Sequence, residues 1–84
     1  MTIGEAIEAV KNGKRVSRHC WNGKGQYLEL ATRLSYMNTK GEIVNGDHKS
    51  MGNRAIAFVG TSGVQIGWLA SQADLLADDW YILE

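Results

Sequence analysis

Residues 18–25 bring together most of the side chains of this sequence that could do chemistry. Arg18, His19, the single cysteine Cys20 and Trp21 directly precede an Asn-Gly turn. His19 and Cys20 are adjacent, and adjacent side chains of a strand point to opposite faces, so we do not expect a thiolate–imidazole pair. Cys20 is therefore predicted to be an inert thiol, buried or half-buried.

Two further groupings that could suggest an enzyme have simpler explanations. Asp78 and Asp79 lie directly before a strand-like segment, and we predict a solvated turn there rather than an acid–base pair. One cysteine and two separated histidines, His19 and His48, lack the spacing of a metal site. The sequence thus predicts no catalytic residue, no bound metal and no cofactor.

More residues of this sequence are suited to binding a ligand than to catalysis. Tryptophan rings are flat surfaces on which a nucleobase can stack. Trp80 precedes an alternating segment and is predicted to lie in the core, Trp68 fits the core or a binding surface, and Trp21, at a polar turn, fits a core poorly. Three cations are candidates for phosphate contacts: Arg18, Lys24 and Arg54. Solvated surface charge is the alternative for Arg18 and Lys24.

Backbone amides and one carboxylate extend this binding chemistry. Gly23 and Gly25 leave their amides open to close approach by an anion. A helix beginning near Ser71 would direct a partly positive N-terminus at a ligand. Asp74 can accept hydrogen bonds from ribose hydroxyls or base amino groups, or it can serve only as a helix cap. These residues predict a domain that binds a small ligand or a partner.

The elements that position these residues follow from the spacing of apolar side chains. Thr2 and Glu5 form a capping-box pattern, apolar residues then recur at helical spacing, and Gly13 is a typical helix end, which predicts a helix over 2–12. Residues 33–53 contain scattered turn signals and leave room for one short strand near 42–44 at most. The remaining predicted elements are a strand within 14–20, a strand over 27–31, a β-hairpin near 55–68, a short helix after Ser71 and a last strand at 80–83. The predicted fold class is α+β, with a small antiparallel sheet in a single domain over 1–84.

Size and charge limit the function further. A chain of 84 residues with one cysteine buries little surface as a monomer and cannot form an internal disulfide, so we predict a homo-oligomer. Nine basic residues balance nine acidic ones, which argues against binding long nucleic acids or membrane surfaces. The sequence has no export-signal pattern and no membrane-length apolar run, so we predict a cytoplasmic protein.

Two segments of this sequence resemble one family of small phage and prophage proteins. The first comprises residues 1–16 together with Arg18 and the WNGKG motif at 21–25, and the second comprises residues 68–80. Together they cover about half of the chain and are similar to the second type of Thoeris anti-defence protein. Residues 32–54 differ from the longer, proline-containing stretches of that family. Arg54 and His48 lie in this stretch, and they are proposed as ligand-site residues from their charge and position alone.

The resemblance implies a protein that sequesters a signal rather than one that cleaves it. Family members are expected to be tetramers that bind a cyclic ADP-ribose isomer, an alarm signal of Thoeris defence in the infected host cell, and some also bind cyclic dinucleotides at separate sites. Such a protein needs stacking surfaces and no catalytic group. The positions of this chain that match the two family motifs are Trp21, Asn22, Gly23, Trp68, Ser71, Gln72 and Asp74.

Two other functions remain open from the sequence. One is a small inhibitor that binds a host defence enzyme through its tryptophans. The other is an enzyme that degrades the signal, although the sequence contains no recognisable catalytic group. Balanced charge does not distinguish the sequestering protein from the inhibitor.

Overall fold

The computed structural model describes residues 1–21, 25–45 and 54–83. In these segments the chain forms two helices and seven strands, so the α+β class predicted from the sequence is consistent with the structure, which is rich in strands. In chain order the elements are α1 (Ile3–Lys11), β1 (Arg15–Arg18), β2 (Tyr27–Ala31), β3 (Ser35–Met37), β4 (Ile43–Asn45), β5 (Ala55–Gly60), β6 (Gly63–Ile66), α2 (Gln72–Leu76) and β7 (Trp80–Leu83). Neither helix is long and apolar enough to cross a bilayer, as far as the described segments go.

The ends of α1 are set by local hydrogen bonds. The Thr2 hydroxyl accepts a hydrogen bond from the amide of Glu5, and the Glu5 carboxylate accepts one from the amide of Thr2 at 2.9 Å, which is the predicted capping box. The helix ends before Gly13, whose φ of 85° is a conformation that favours glycine. Ala6 and Val10 on its apolar face are each 1% exposed. The helix predicted over 2–12 is therefore confirmed to within one residue at each end.

Five strands form one antiparallel sheet in the order β6-β5-β2-β1-β7. Val16 lies opposite Leu28, and Leu28 lies opposite Phe58, so these three side chains share one face of the sheet. α1 covers this face, where Val16 and Leu28 are fully buried beside Trp80. The predicted core role of Trp80 is confirmed, as are the hairpin of β5 and β6, the short helix α2 and the last strand β7.

The other face of the sheet also carries apolar side chains. Tyr27 pairs with Val59, and Val59 pairs with Val64, so the three share this second face. Ile66 lies on the same face opposite Ala57. Val64 and Ile66 are 62% and 53% exposed. Polar residues of β1 and β2 share this face, so its exposed apolar part lies at the β6 edge, which is unusual for the solvent-facing side of an antiparallel sheet.

The prediction for residues 33–53 was wrong in one respect. β3 pairs with β4 as a separate two-stranded sheet, so the segment contains a second strand that the sequence analysis did not predict. The turn between them is closed by Asn38, whose side-chain oxygen accepts hydrogen bonds from the amides of Lys40 and Glu42. The turn signals at Asn38 and Gly41 thus mark a hairpin turn rather than irregular chain. Residues 46–53, including His48, lie outside the described residues.

Candidate functional site

Arg18, at the end of β1, lies between two carboxylates. Its Nη1 donates to Oδ1 of Asp74 at 2.7 Å, and its Nε donates to Oδ1 of Asp79 at 2.8 Å. The side chains are only 11% exposed for Arg18, 13% for Asp74 and 28% for Asp79. The interpretations of Arg18 as solvated charge and of Asp79 as part of a solvated turn are therefore wrong. These residues form an ion-pair network, called here the Arg18 clamp, that joins β1 to α2 and to the start of β7.

Asp74 also closes the N-terminus of α2. Its amide donates to the Ser71 hydroxyl at 3.1 Å, and its Oδ2 accepts from the Ser71 amide at 3.0 Å. The capping function predicted for Ser71 and Asp74 is confirmed. Because this box uses amides at the start of α2, the helix N-terminus is less open to an anion than the sequence suggested. Ligand contacts by Ser71 and Asp74 stay predictions.

The clamp holds its groups in their charged forms. Burial opposes ionisation of Asp74, but hydrogen bonds from Ser71, Arg18 and the Trp21 side chain outweigh it and lower the pKa of Asp74 below its usual value. The hydrogen bond from Arg18 is the main reason that the pKa of Asp79 is lowered. The same bonds, first to Asp79 and then to Asp74, raise the pKa of Arg18. Two carboxylates facing one guanidinium leave this region with excess negative charge.

Trp21 belongs to a cluster of four aromatic rings, called here the aromatic cluster: Trp21, Phe58, Trp68 and Trp80. The Trp21 ring meets the other three edge to face, with centroid distances of 5.6 Å to Phe58, 6.5 Å to Trp68 and 5.3 Å to Trp80. Trp80 is 2% exposed and donates its indole N–H to the carbonyl of Asp74. Trp21 is half-buried and packs against the core, so the expectation that a core role would be awkward for it was wrong.

A shallow cleft borders the aromatic cluster at Phe58, and we call it the hairpin cleft. It has a volume of about 230 Å³ and lies on the β5–β6 hairpin. Its lining residues are Phe58, Gly60, Ser62, Gly63, Val64 and Gln65. Gln65 shares the α1-covered face of the sheet with Phe58, its partner in the register. Ser62 and Gln65 were not predicted as cleft residues. In the sequence, they are marked only by a turn followed by strand alternation.

Almost the whole chain matches one protein family. Residues 1–83 match the family model described as the Thoeris anti-defense 2-like domain. The chain belongs to this family. It is also 39% identical over 88 residues to Thoeris anti-defense 2 of Bacillus phage SP01, an alignment that covers 99% of this chain and 94% of the phage protein. The resemblance identified in the two sequence segments is confirmed.

The fold brings together the two segments that resembled the Thoeris anti-defense 2-like family. Trp21 of the first segment contacts Trp68 of the second, and Arg18 of the first segment donates a hydrogen bond to Asp74 of the second. Gln72 is exposed at the start of α2. Motif residues that are far apart in the sequence thus share one surface region.

Other predicted site residues are separate from this region or are not described. Asn22, Gly23 and Lys24 lie outside the described residues. Arg54 is exposed and lines a different cleft beside α1, and none of that cleft's lining residues belongs to the aromatic cluster. The predicted ligand role of Arg54 therefore has no geometric link to Trp21.

His19 and Cys20 follow β1 in a turn, not within a strand as the sequence analysis assumed. The His19 ring stacks on Tyr81 with a centroid distance of 4.2 Å. The Cys20 amide donates to Oδ2 of Asp79 at 3.1 Å, and the Cys20 residue is exposed, so its predicted burial was wrong. Across the described ranges, no group of three or more His, Cys, Asp or Glu residues is placed to hold a metal ion.

Proposed function

We propose that this member of the phage anti-defence family binds a cyclic nucleotide immune signal and sequesters it without cleavage. A cyclic ADP-ribose isomer is the primary ligand of this proposal, with cyclic dinucleotides as a second class, and its withdrawal would block the effector of Thoeris defence. Membership of the Thoeris anti-defense 2-like family supports the anti-defence role. The observation that supports nucleotide binding most directly is the aromatic cluster, in which Trp21 contacts Phe58, a lining residue of the hairpin cleft.

The aromatic cluster has the properties of a stacking surface. Three edge-to-face contacts fix the Trp21 ring before a ligand arrives. A base that stacks on such a ring contributes about 1–3 kcal/mol to binding. A fixed ring loses little conformational entropy on binding, which favours the tight association that sequestration requires.

The charges around Trp21 indicate how a nucleotide would be oriented. The Arg18 clamp has excess negative charge, and the Arg18 N–H groups that bond to Asp74 and Asp79 are already engaged. We therefore place ribose hydroxyls or a base amino group near this clamp, rather than a phosphate. The phosphates are assigned to Lys24 and to the amides of Gly23 and Gly25, as the sequence predicts.

A second copy of the chain is part of this proposal. The hairpin cleft, at about 230 Å³, is smaller than the roughly 300–1,000 Å³ of typical ligand pockets, so it would hold only part of a cyclic nucleotide. The apolar second face of the sheet, with Val64 and Ile66 largely exposed, offers the surface on which subunits would associate. We propose a homo-oligomer, a tetramer as the family resemblance implies, with ligand pockets completed between subunits.

The oligomer is tested by placing charge on the second face of the sheet. The double variant Val64→Lys/Ile66→Lys is expected to reduce the molecular mass of the assembly by at least half, because two buried ammonium groups would disfavour association. Light scattering after size-exclusion chromatography measures this mass. Thr61→Lys, at an exposed turn residue of the same hairpin, is the matched control and should retain the wild-type mass. An unchanged mass for the double variant would exclude this face as the interface.

Sequestration is tested by a single incubation. Excess protein is mixed with cyclic ADP-ribose isomers and a panel of cyclic dinucleotides, the protein is removed by filtration, and the free ligands are quantified by mass spectrometry. The retained protein is then denatured by heat. We expect one ligand to disappear from the filtrate and to return intact after denaturation. Return as fragments would identify a degrading enzyme instead, and heat-denatured protein is the control for non-specific loss.

A protein-binding inhibitor is the second candidate function, and one observation favours it. The β3–β4 hairpin exposes three large apolar side chains: Tyr36 at 62%, Met37 at 68% and Ile43 at 69%. Exposed apolar patches of this kind occur at protein–protein interfaces. If every nucleotide remains free in the incubation, this hairpin becomes the first surface to test against host defence enzymes.

A further inference from the structure

A second cleft lies beside α1, and none of its lining residues belongs to the aromatic cluster. It has a volume of about 170 Å³ and lies between the C-terminal half of α1 and the strands β2 and β5. Ile7, Val10, Leu30 and Ile56 form its apolar walls, and Lys11 and Arg54 contribute its two cationic side chains. We propose that this α1 cleft binds an organic anion that has one small apolar group and one carboxylate or phosphate head.

The walls of the α1 cleft select the apolar part of the ligand. An apolar cavity of roughly 150 Å³ accommodates a benzene molecule, so a volume of about 170 Å³ suits a ring or chain of six carbons. Among the described residues, its walls are aliphatic side chains and no aromatic ring lines it. A nucleobase would therefore find no stacking partner, and its polar edges would face aliphatic carbon. The geometry favours an aliphatic or simple aryl group.

The charges of the α1 cleft select the ionic part of the ligand. Arg54 is exposed, and no carboxylate in the described part of the chain pairs with its guanidinium. Lys11 is less available to an anion. Its Nζ lies 3.4 Å from Oε1 of Glu8, and it is in the last turn of α1, near the partly negative carbonyl end of the helix. The free fork of Arg54 matches a carboxylate or a phosphate in geometry. Arg54 is therefore the main anion contact and Lys11 the weaker one.

This site goes beyond the proposed function and does not depend on it. Its lining residues and the four rings of the aromatic cluster have no member in common. Ile56 and Phe58 lie on the same face of β5, with Ile56 towards the α1 cleft and Phe58 towards Trp21. A ligand in the α1 cleft should consequently perturb Ile56 and leave the indole signal of Trp21 unchanged.

The experiment is a titration of the full chain with four probes that share a six-carbon chain, and binding is monitored by methyl NMR. Hexanoate and hexyl phosphate carry an anionic head, hexanol is neutral and hexylammonium is cationic. We expect both anions to shift the methyl signals of Ile7 and Ile56 and to bind roughly threefold to fivefold more tightly than hexanol, because an exposed ion pair contributes up to about 1 kcal/mol. Tighter binding of hexyl phosphate assigns phosphate esters as the ligand class, and tighter binding of hexanoate assigns carboxylates.

Variants separate the charge contribution from the apolar one. Arg54→Gln should remove most of the preference for the anions over hexanol, and Lys11→Gln should remove less. Arg33→Gln, an exposed cation that does not line the cleft, is the matched control and should bind like the wild type. The proposal is overturned if hexanol and hexylammonium bind as well as the anions, if Ile7 and Ile56 do not shift, or if Arg54→Gln leaves the preference intact.

Discussion

Arg18→Met is expected to lower the free energy of unfolding by about 2 kcal/mol at neutral pH. Methionine retains much of the apolar stem of arginine, but it leaves the Asp74 carboxylate, only 13% exposed, without its cationic partner. It also removes the guanidinium that lies 6.0 Å from the centre of the Trp80 ring. Denaturant unfolding of both proteins, followed by tryptophan fluorescence and circular dichroism, measures the difference.

The pH dependence of the stability difference between the wild type and Arg18→Met distinguishes the loss of the ion pairs from the loss of side-chain packing. The folded-state pKa values of Asp74 and Asp79 are lowered, so their contribution to stability is fully present above the unfolded-state pKa of about 3.9. It is lost as the pH falls through the lower folded-state values. We therefore expect the stabilities of the wild type and Arg18→Met to converge in acid. A difference that persists unchanged there would assign the effect to packing.

Arg15→Met is the matched control, because Arg15 lies on the same strand but is exposed and bonds to no carboxylate among the described residues. Its guanidinium lies 5.1 Å from the centre of the Tyr27 ring, a contact whose loss costs about 0.5–1 kcal/mol. If Arg18→Met is as stable as the control but no longer retains nucleotide, Arg18 contacts the ligand and the clamp is not its main role.

The parts of the fold that were predicted correctly depend on short-range patterns. Each capping box, Thr2 with Glu5 and Ser71 with Asp74, lies within four residues and is visible in the sequence. The hairpin of β5 and β6 likewise follows from alternating apolar residues around a short turn. β3 was missed because it has only three residues, all exposed, and so shows no alternation of burial.

The contacts that define the candidate site depend on strand register, which the sequence does not reveal. Arg18 reaches Asp79 because β1 pairs with β7, which places Arg18 opposite Trp80. Trp21 lies at a polar turn and was expected to fit a core poorly, yet rings from β5, β7 and the segment before α2 converge on it. A residue can therefore belong to the core and still be the best candidate for a binding surface.

Because Trp21 packs against the core and is also the candidate stacking surface, its role must be tested by measuring both ligand affinity and stability. Trp21→Ala is expected to weaken retention of the nucleotide by tenfold or more, because a stacking contact that contributes about 2 kcal/mol is lost. The same variant also removes a half-buried ring from the core, at a cost of about 2 kcal/mol in unfolding free energy. Calorimetric titration with the ligand identified by the incubation, alongside denaturant unfolding, measures both quantities.

Two further variants separate these effects. Trp21→Phe keeps a ring within the aromatic cluster but presents a smaller stacking surface, so we expect an intermediate loss of affinity with a small loss of stability. Val16→Ala is the control, since Val16 is fully buried and belongs neither to the aromatic cluster nor to the lining of the hairpin cleft, and it should lower stability while the folded protein binds normally. If affinity falls only in proportion to the unfolded fraction in all three variants, Trp21 is a core residue alone, and nucleotide binding must be sought elsewhere on the chain.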